Sequence, residues 1–349
     1  MPPVRYSQDR SPAVVGAGFF ALDVLVDAQR SYQALGGSAG NVLAILGYFG
    51  WNTMPVAELG RDSAAELIRT EFVALGAETS FLRCSSDVRT PVVYQHIREG
   101  RPSYSLSCPI CGHRGSPHGH SSGVLAQEVV EHSPSPAVFF FDRANALNAT
   151  LAEHFRSHGA MVVFEPSRAS DDSYFKRCVE LSSVVKYASD RIDSLDVDGD
   201  FLEVRTLGAE GLSYRMPDST QWVEMPAIPA PFVADSSGSG DWCTAGAIHW
   251  ILDRKASHQP LGHAEVQAAF RFGQALASLN CRHQGARTLA RNVSSEHLLG
   301  FANWLSSSGT SDAVALQAAS ASKWEPCLEE NSSSWEARLA SLCCQQLSS

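Results

Sequence analysis

Basic residues are scarce in this chain. Among its 349 residues, 27 Lys+Arg stand against 37 Asp+Glu, a formal charge of −10. That balance excludes a broad basic face for nucleic acid, though not a small basic pocket for an anionic ligand. Charged residues of both signs make up 18% and apolar residues 44%. The charge density is too low for a disordered chain, and the apolar share is ample for a core. No apolar run approaches the roughly 18–20 residues that cross a bilayer, so no membrane partner is expected. Nine cysteines are too few for a disulfide scaffold, and an odd count leaves at least one unpaired. They read as reduced thiols of a cytoplasmic protein. The apolar stretch Val14 to Val26 contains Asp23 and lacks an Ala-x-Ala site, so it reads as buried strand rather than leader. Internal repeats are absent.

What is present alternates. Strand-like runs at Ala13–Val26, Ala137–Phe141, Met161–Phe164 and Val184–Tyr187 are interleaved with helical patterns at Asn41–Tyr48, Ser63–Leu75, Leu147–His158 and Asp172–Leu181. Strands alternating with helices of this length predict βαβ units and a mainly parallel sheet, an α/β fold. Pro91–Ile97 and Tyr104–Ser107 flank Glu99-Gly100-Arg101-Pro102, a hairpin that breaks the rhythm and predicts a small β lid near 92–107. The main domain is placed at 13–305. From Ser306 the composition turns to Ser and Ala, and 306–349 reads as an appendage without chemistry. It includes a helix-like Trp335–Leu342 and an exposed Cys343-Cys344 pair.

The strongest chemical feature is Asp235-Ser236-Ser237-Gly238-Ser239-Gly240-Asp241, followed by a small-residue apolar run from Trp242 to Leu252. Small residues let backbone N–H groups approach a ligand, and a following helix points its positive end at the same place. Such a loop suits a phosphate and the charge that develops in phosphoryl transfer, with Asp241 beside it to accept a hydroxyl proton. Taken alone, the pattern equally fits a loop whose Asp caps a helix.

With Ala245-Gly246-Ala247 after it, this stretch resembles the C-terminal signature of the pfkB, or ribokinase-like, carbohydrate kinases, with a fructokinase-like cast. Gly36-Gly37-Ser38-Ala39-Gly40-Asn41 is similar to the family's sugar-contacting segment, and Asp23 falls where the family binds substrate hydroxyls. The resemblance implies a ribokinase-like parallel sheet with helices on both faces and a small β lid. It also implies ATP-dependent phosphorylation of a hydroxyl on a sugar-like molecule. By the same resemblance Asp241 is the base, Gly238, Ser239 and Gly240 form the anion hole, and Asp23, Gly36, Gly37, Asn41 and Arg168 hold substrate. Lys186, Thr206, Gly208, Gly211, Ala275 and Gly285 fall on the nucleotide side. Mg²⁺ is implied with ATP, and a monovalent cation such as K⁺ near Asp235. Gly60-Arg61-Asp62 and Thr90-Pro91 match weaker family segments. A nucleoside kinase of the same fold and a non-catalytic sugar-binding regulator remain open alternatives, and the lid edge leaves room for a homodimer.

Departures are equally specific. Arg191 stands where the family places a magnesium-organising Glu, leaving Asp190 or Asp193 to serve, and Glu165 and Ser167 replace an Asp and an Asn. Gly16-Ala17-Gly18-Phe19-Phe20-Ala21 imitates a dinucleotide fingerprint, but neither the helix nor the distal acid that motif needs follows. Finally, Cys108-Pro109-Ile110-Cys111-Gly112-His113 is a zinc-knuckle half-site, since such a turn aims both thiolates at one point. Zn²⁺ would take Cys108, Cys111 and two of His113, His118 and His120, with His118 and His120 as the leading pair.

Overall fold

The computed structural model describes residues 13–26, 31–98, 101–116, 123–197, 199–230, 232–254, 261–308 and 343–347. Thirteen strands form two sheets among these residues. The larger contains β1 (Val14–Ala17), β4 (Thr53–Gly60), β5 (Leu82–Ser85), β8 (Val138–Phe141), β9 (Met161–Phe164) and β10 (Val184–Ala188). It is completed by β11 (Leu202–Thr206), β12 (Gly211–Arg215) and β13 (Val223–Pro226). Their order is β13-β12-β11-β10-β9-β8-β1-β4-β5. Pairing is parallel from β5 through β11 and antiparallel for β12 and β13.

Both faces of this sheet are covered. β8 shows it in three residues: Phe140 packs into one apolar cluster, and Phe139 and Phe141 into the other, all fully buried. Strands buried on two sides read as unbroken apolar runs, which is why Ala137–Phe141 was legible as a strand. One face carries α1 (Ser38–Tyr48), α6 (Ser239–Arg254) and α7 (His263–Asn280). The other carries α4 (Ala146–Ser157) and α5 (Ser173–Leu181). The α/β expectation and the helix positions hold to within a few residues. α2 (Ser63–Ala74) starts at Asp62, whose carboxylate accepts from Ala65 N and, at 3.0 Å, from Thr90 N. The Gly60-Arg61-Asp62 segment is thus a helix cap that also fixes Thr90.

The lid is larger than the hairpin expected at 92–107. β6 (Val92–Arg98) and β7 (Arg101–Ser105) form that hairpin, but β2 (Ala21–Val26) and β3 (Ser31–Gly36) extend it to a four-stranded sheet, β3-β2-β6-β7. The chain leaves the main sheet at Gly18 and enters the lid as β2. Gly18 has φ +137°, and a Cβ there would overlap Asp142 Oδ1, which accepts from Phe19 N at 2.8 Å. The dinucleotide-like glycines therefore serve this break, and no nucleotide turn follows.

The order of the sheet reverses at β1, between β4 and β8. In an open parallel sheet the crevice outside the strand carboxyl ends at such a point receives ligands.

Candidate active site

Helix α6 opens on Asp241 in its first turn. The Asp241 carboxylate accepts one hydrogen bond on each oxygen, from Ser38 Oγ to Oδ1 and from Asn41 Nδ2 to Oδ2, both at 2.8 Å. Ser38 and Asn41 lie on α1, so two helices remote in sequence converge on this group. Burial pushes the Asp241 carboxyl up to about 7, and the nearby Glu165 charge adds to the rise. The bonds from Ser38 and Asn41 and the Lys186 ammonium oppose it without cancelling it. Asn41 Oδ1 is buried and has no hydrogen-bond partner. A buried acceptor left unpaired is costly, and a ligand hydroxyl would satisfy it.

Glu165, at the end of β9, is the group that sequence reasoning treated only as a departure. Its Oε1 accepts from Lys186 Nζ at 2.6 Å and its Oε2 from Thr244 Oγ1 at 2.6 Å. Burial alone would lower the Lys186 pKa, but pairing with Glu165 and the fields of Cys243 and Asp241 raise it instead. Lys186 also reaches Gly240 O at 3.4 Å. A buried cation is therefore fixed directly beneath the loop. Nothing local in the sequence marked the Glu165–Lys186 pair, because its members sit on neighbouring parallel strands.

The other end of the loop is anchored. Asp235 is fully buried. Ser237 N (2.9 Å) and Ser237 Oγ (2.5 Å) donate to its Oδ1; Gln95 Nε2 and Gly285 N (both 2.8 Å) donate to its Oδ2. Four donors saturate that carboxylate, so it does not suit the monovalent cation expected there. Ser237 Oγ accepts from Gln95 Nε2 at 2.6 Å and from Tyr104 OH at 2.5 Å, which joins lid strands β6 and β7 to the loop. Burial raises the Tyr104 phenol to about 12; its bond to Ser237 opposes this, and the fields of Asp235, Asp23 and Asp241 add to it.

Gly238 has φ +72°, and a Cβ there would press on Ala286 at 2.7 Å; only glycine fits. The Ser239 N–H is used by Ser236 O at 3.2 Å. Of the three expected anion-hole residues, that leaves Gly238 and Gly240, whose N–H groups donate to no described residue, at the positive end of α6.

On the lid side, Asp23 projects from β2 against Gly36, where any Cβ would overlap its carboxylate. Burial lifts the Asp23 carboxyl to about 7; Arg287 counteracts this and Glu71 reinforces it. No described residue donates a hydrogen bond to it. Gly37 supplies the N-terminal cap position of α1. Asp23, Gly36, Gly37 and Asn41 therefore come together near Asp241.

Other expected residues do not join this cluster. Arg168 is exposed after β9, and the charge it acts on is Asp172. Asp190 is exposed after β10 and belongs to no group of three converging metal-ligand side chains among the described residues. Ala275 is completely buried inside α7 and packs in the core. Thr206 ends β11 and donates to Tyr187 O, while Gly208 and Gly211 bracket a tight turn before β12. Gly285 holds Asp235. His118 and His120, like Trp335–Leu342, lie outside the described residues. Cys343 and Cys344 are buried, not exposed, and meet Cys108 and Cys111, because α10 (Cys344–Leu347) packs its apolar side against the lid. No helix among the described residues is long and apolar enough to cross a membrane.

The model of the pfkB family carbohydrate kinases matches residues 185–292, from β10 to the end of α8 (Thr288–Asn292). No curated protein matches the chain in sequence. Among solved structures, Arabidopsis thaliana ribokinase complexed with ribose and ATP is similar at 18% identity and TM-score 0.62, over 84% of this chain and 100% of that one. Aminoimidazole riboside kinase from Salmonella enterica, complexed with its riboside and an ATP analogue, gives 19% and 0.64 over 83% and 99%. A Vibrio cholerae fructokinase double mutant with fructose, ADP and potassium ion gives 18% and 0.63 over 84% and 99%. The fold is ribokinase-like, and the pfkB resemblance read from the sequence is borne out.

Proposed function

We propose that this protein is an ATP-dependent phosphotransferase acting on a hydroxyl of a sugar or sugar-like small molecule, with Asp241 as the general base. One observation carries the reading. A half-buried carboxylate, pushed up towards neutral pH by desolvation and by the Glu165 charge and with lone pairs to spare, stands at the positive end of a helix, beside a glycine loop. The pfkB match over that loop and the ATP-bound, sugar-bound relatives of the same fold support it.

Asp23 and the unpaired Asn41 Oδ1 would grip substrate hydroxyls, since a carboxylate and an amide oxygen both accept from O–H groups. Asn41 Nδ2 and Ser38 Oγ keep the Asp241 carboxylate turned towards the reacting hydroxyl. Asp241 takes the hydroxyl proton as the oxygen attacks the transferring phosphoryl group. The Gly238 and Gly240 N–H groups and the end of α6 meet the charge on that phosphoryl, and Lys186 adds a fixed positive field behind them. A base with a pKa near the working pH combines a useful deprotonated fraction with good proton affinity. Mg²⁺ bound with ATP neutralises phosphate charge. Asp190 stands exposed beside Arg191, and no step above depends on a protein-held magnesium ion.

The test is ATP consumption by the purified protein across free sugars, sugar acids and nucleosides. Turnover with a member of the panel is expected and names the substrate class. ATP binding without turnover on any member would favour a regulator that has kept the fold.

A further inference from the structure

Outside the site, one cluster of side chains has no part in the chemistry above. Cys108 follows lid strand β7 in a tight turn closed by Cys108 N to His113 O (2.8 Å) and Gly112 N to Cys108 O (2.9 Å). Gly112 takes φ +73°, the left-handed conformation that lets such a turn present Cys108 and Cys111 on one side. Cys343, 235 residues later, and Cys344 face them. The Cys111–Cys344 sulfurs are 3.4 Å apart and the Cys108–Cys343 sulfurs 4.0 Å. All four sulfurs lie within 4.8 Å of one another. A tetrahedron of thiolates around zinc, with Zn–S near 2.3 Å, has edges of about 3.8 Å. A disulfide would need about 2.05 Å, and all four thiols are free.

We infer that Cys108, Cys111, Cys343 and Cys344 bind a zinc ion in an all-thiolate site that clasps the end of the chain to the back of the lid. The ligand set thus differs from the Cys₂His₂ set expected from the sequence: the tail cysteines replace the two histidines. Four thiolates close the coordination shell and leave no open position, which marks a structural site, and soft sulfur ligands select zinc over Mg²⁺ or Ca²⁺.

The Tyr94 hydroxyl hydrogen-bonds with Cys108 Sγ. Donors of this kind orient and stabilise a metal-bound sulfur.

The clasp sits behind the substrate side of the lid. Leu22, Val24, Val92 and Tyr94 form one buried cluster with Ala64, Cys108, Cys343, Cys344 and Leu347. Side chains alternate along a strand, so the neighbours Asp23 and Gln95 face the other way, toward the loop. Ser63 Oγ donates to Leu347 O at 2.9 Å, which seats the end of the chain on α2 as well. A metal there would hold β2 and β6 in register from behind.

The experiment is metal analysis of the full chain purified without chelator, together with cobalt substitution; neither reads turnover, so the result stands apart from the kinase proposal. One zinc per chain is expected, with the absorption of tetrahedral, all-thiolate cobalt after exchange. Cys343→Ser/Cys344→Ser should lose the metal. If that variant does not fold, the cobalt spectrum of the native sequence decides alone. Metal-free protein in which Cys108, Cys111, Cys343 and Cys344 all titrate as free thiols, or with masses showing disulfides among them, would overturn the inference. So would zinc retained by the double variant with a spectrum showing nitrogen ligands.

Discussion

Two carboxylates bracket the same glycine loop and live in opposite surroundings. Asp235 accepts four hydrogen bonds and is closed to further partners. Asp241 accepts two, stays open on the ligand side and is pushed up to about 7. One end of the loop is therefore an anchor that ties α6, the lid and the Gly285 turn together, and the other is the end to which the proposed mechanism assigns the reaction. Similar residues six positions apart acquire different chemistry from how many donors the fold delivers to each.

The largest effect that would break this contrast is on turnover. Asp241→Ala is expected to lower kcat by about a thousandfold, within the range of general base catalysis, without lowering unfolding stability at neutral pH, where the ionised carboxylate opposes folding. Parallel kinetics and denaturant titration check both halves. Asp235→Ala should do the reverse in kind. It strands the Ser237, Gln95 and Gly285 donors and should cost about 3 kcal/mol or more of stability, read as a lower denaturation midpoint. Unchanged stability would remove the anchor from the account.

A third test concerns pH and the folded state. Asp23 and Asp241 have folded pKa values near 7, above their ordinary 3.8. Between about 4 and 7 the native chain holds more protons at these sites than the unfolded chain does. Their contribution therefore falls as pH rises through that window. Asp23→Asn and Asp241→Asn should each flatten the fall in unfolding free energy measured across it. The smallest effect belongs to the lid. Tyr104→Phe removes one hydroxyl bond to Ser237 and should cost about 1 kcal/mol, appearing as a raised KM for the substrate with little change in kcat.

Much of this was legible beforehand, for identifiable reasons. The parallel sheet could be read because strands buried on both faces, such as Val138–Phe141, are continuous apolar runs. The loop at 235–241 could be read because its function needs small residues side by side. Glu165 with Lys186, Gln95 with Asp235, and Cys108 with Cys343 could not. Each pair is made by the packing of separate elements, and neither member carries a local signal of the other. Gln95 on a strand looks like a solvent-facing residue until the sheet is seen to cover the loop. Residues 343–347 were set aside as appendage because composition shifts at Ser306, yet they pack against Leu22, Val24, Val92 and Tyr94 of the lid strands and against Cys108 just beyond them.

The most direct test of the central claim, that Asp241 is a base tuned by burial and by Glu165, is kcat/KM across the neutral range for the native sequence and for Glu165→Gln. The account predicts activity that rises with pH through an inflection near 7. In the variant, where the like charge is gone and Lys186 is left to act on Asp241, the inflection should move toward acid by on the order of one pH unit. A flat native profile, or an inflection that the variant leaves in place, would contradict it.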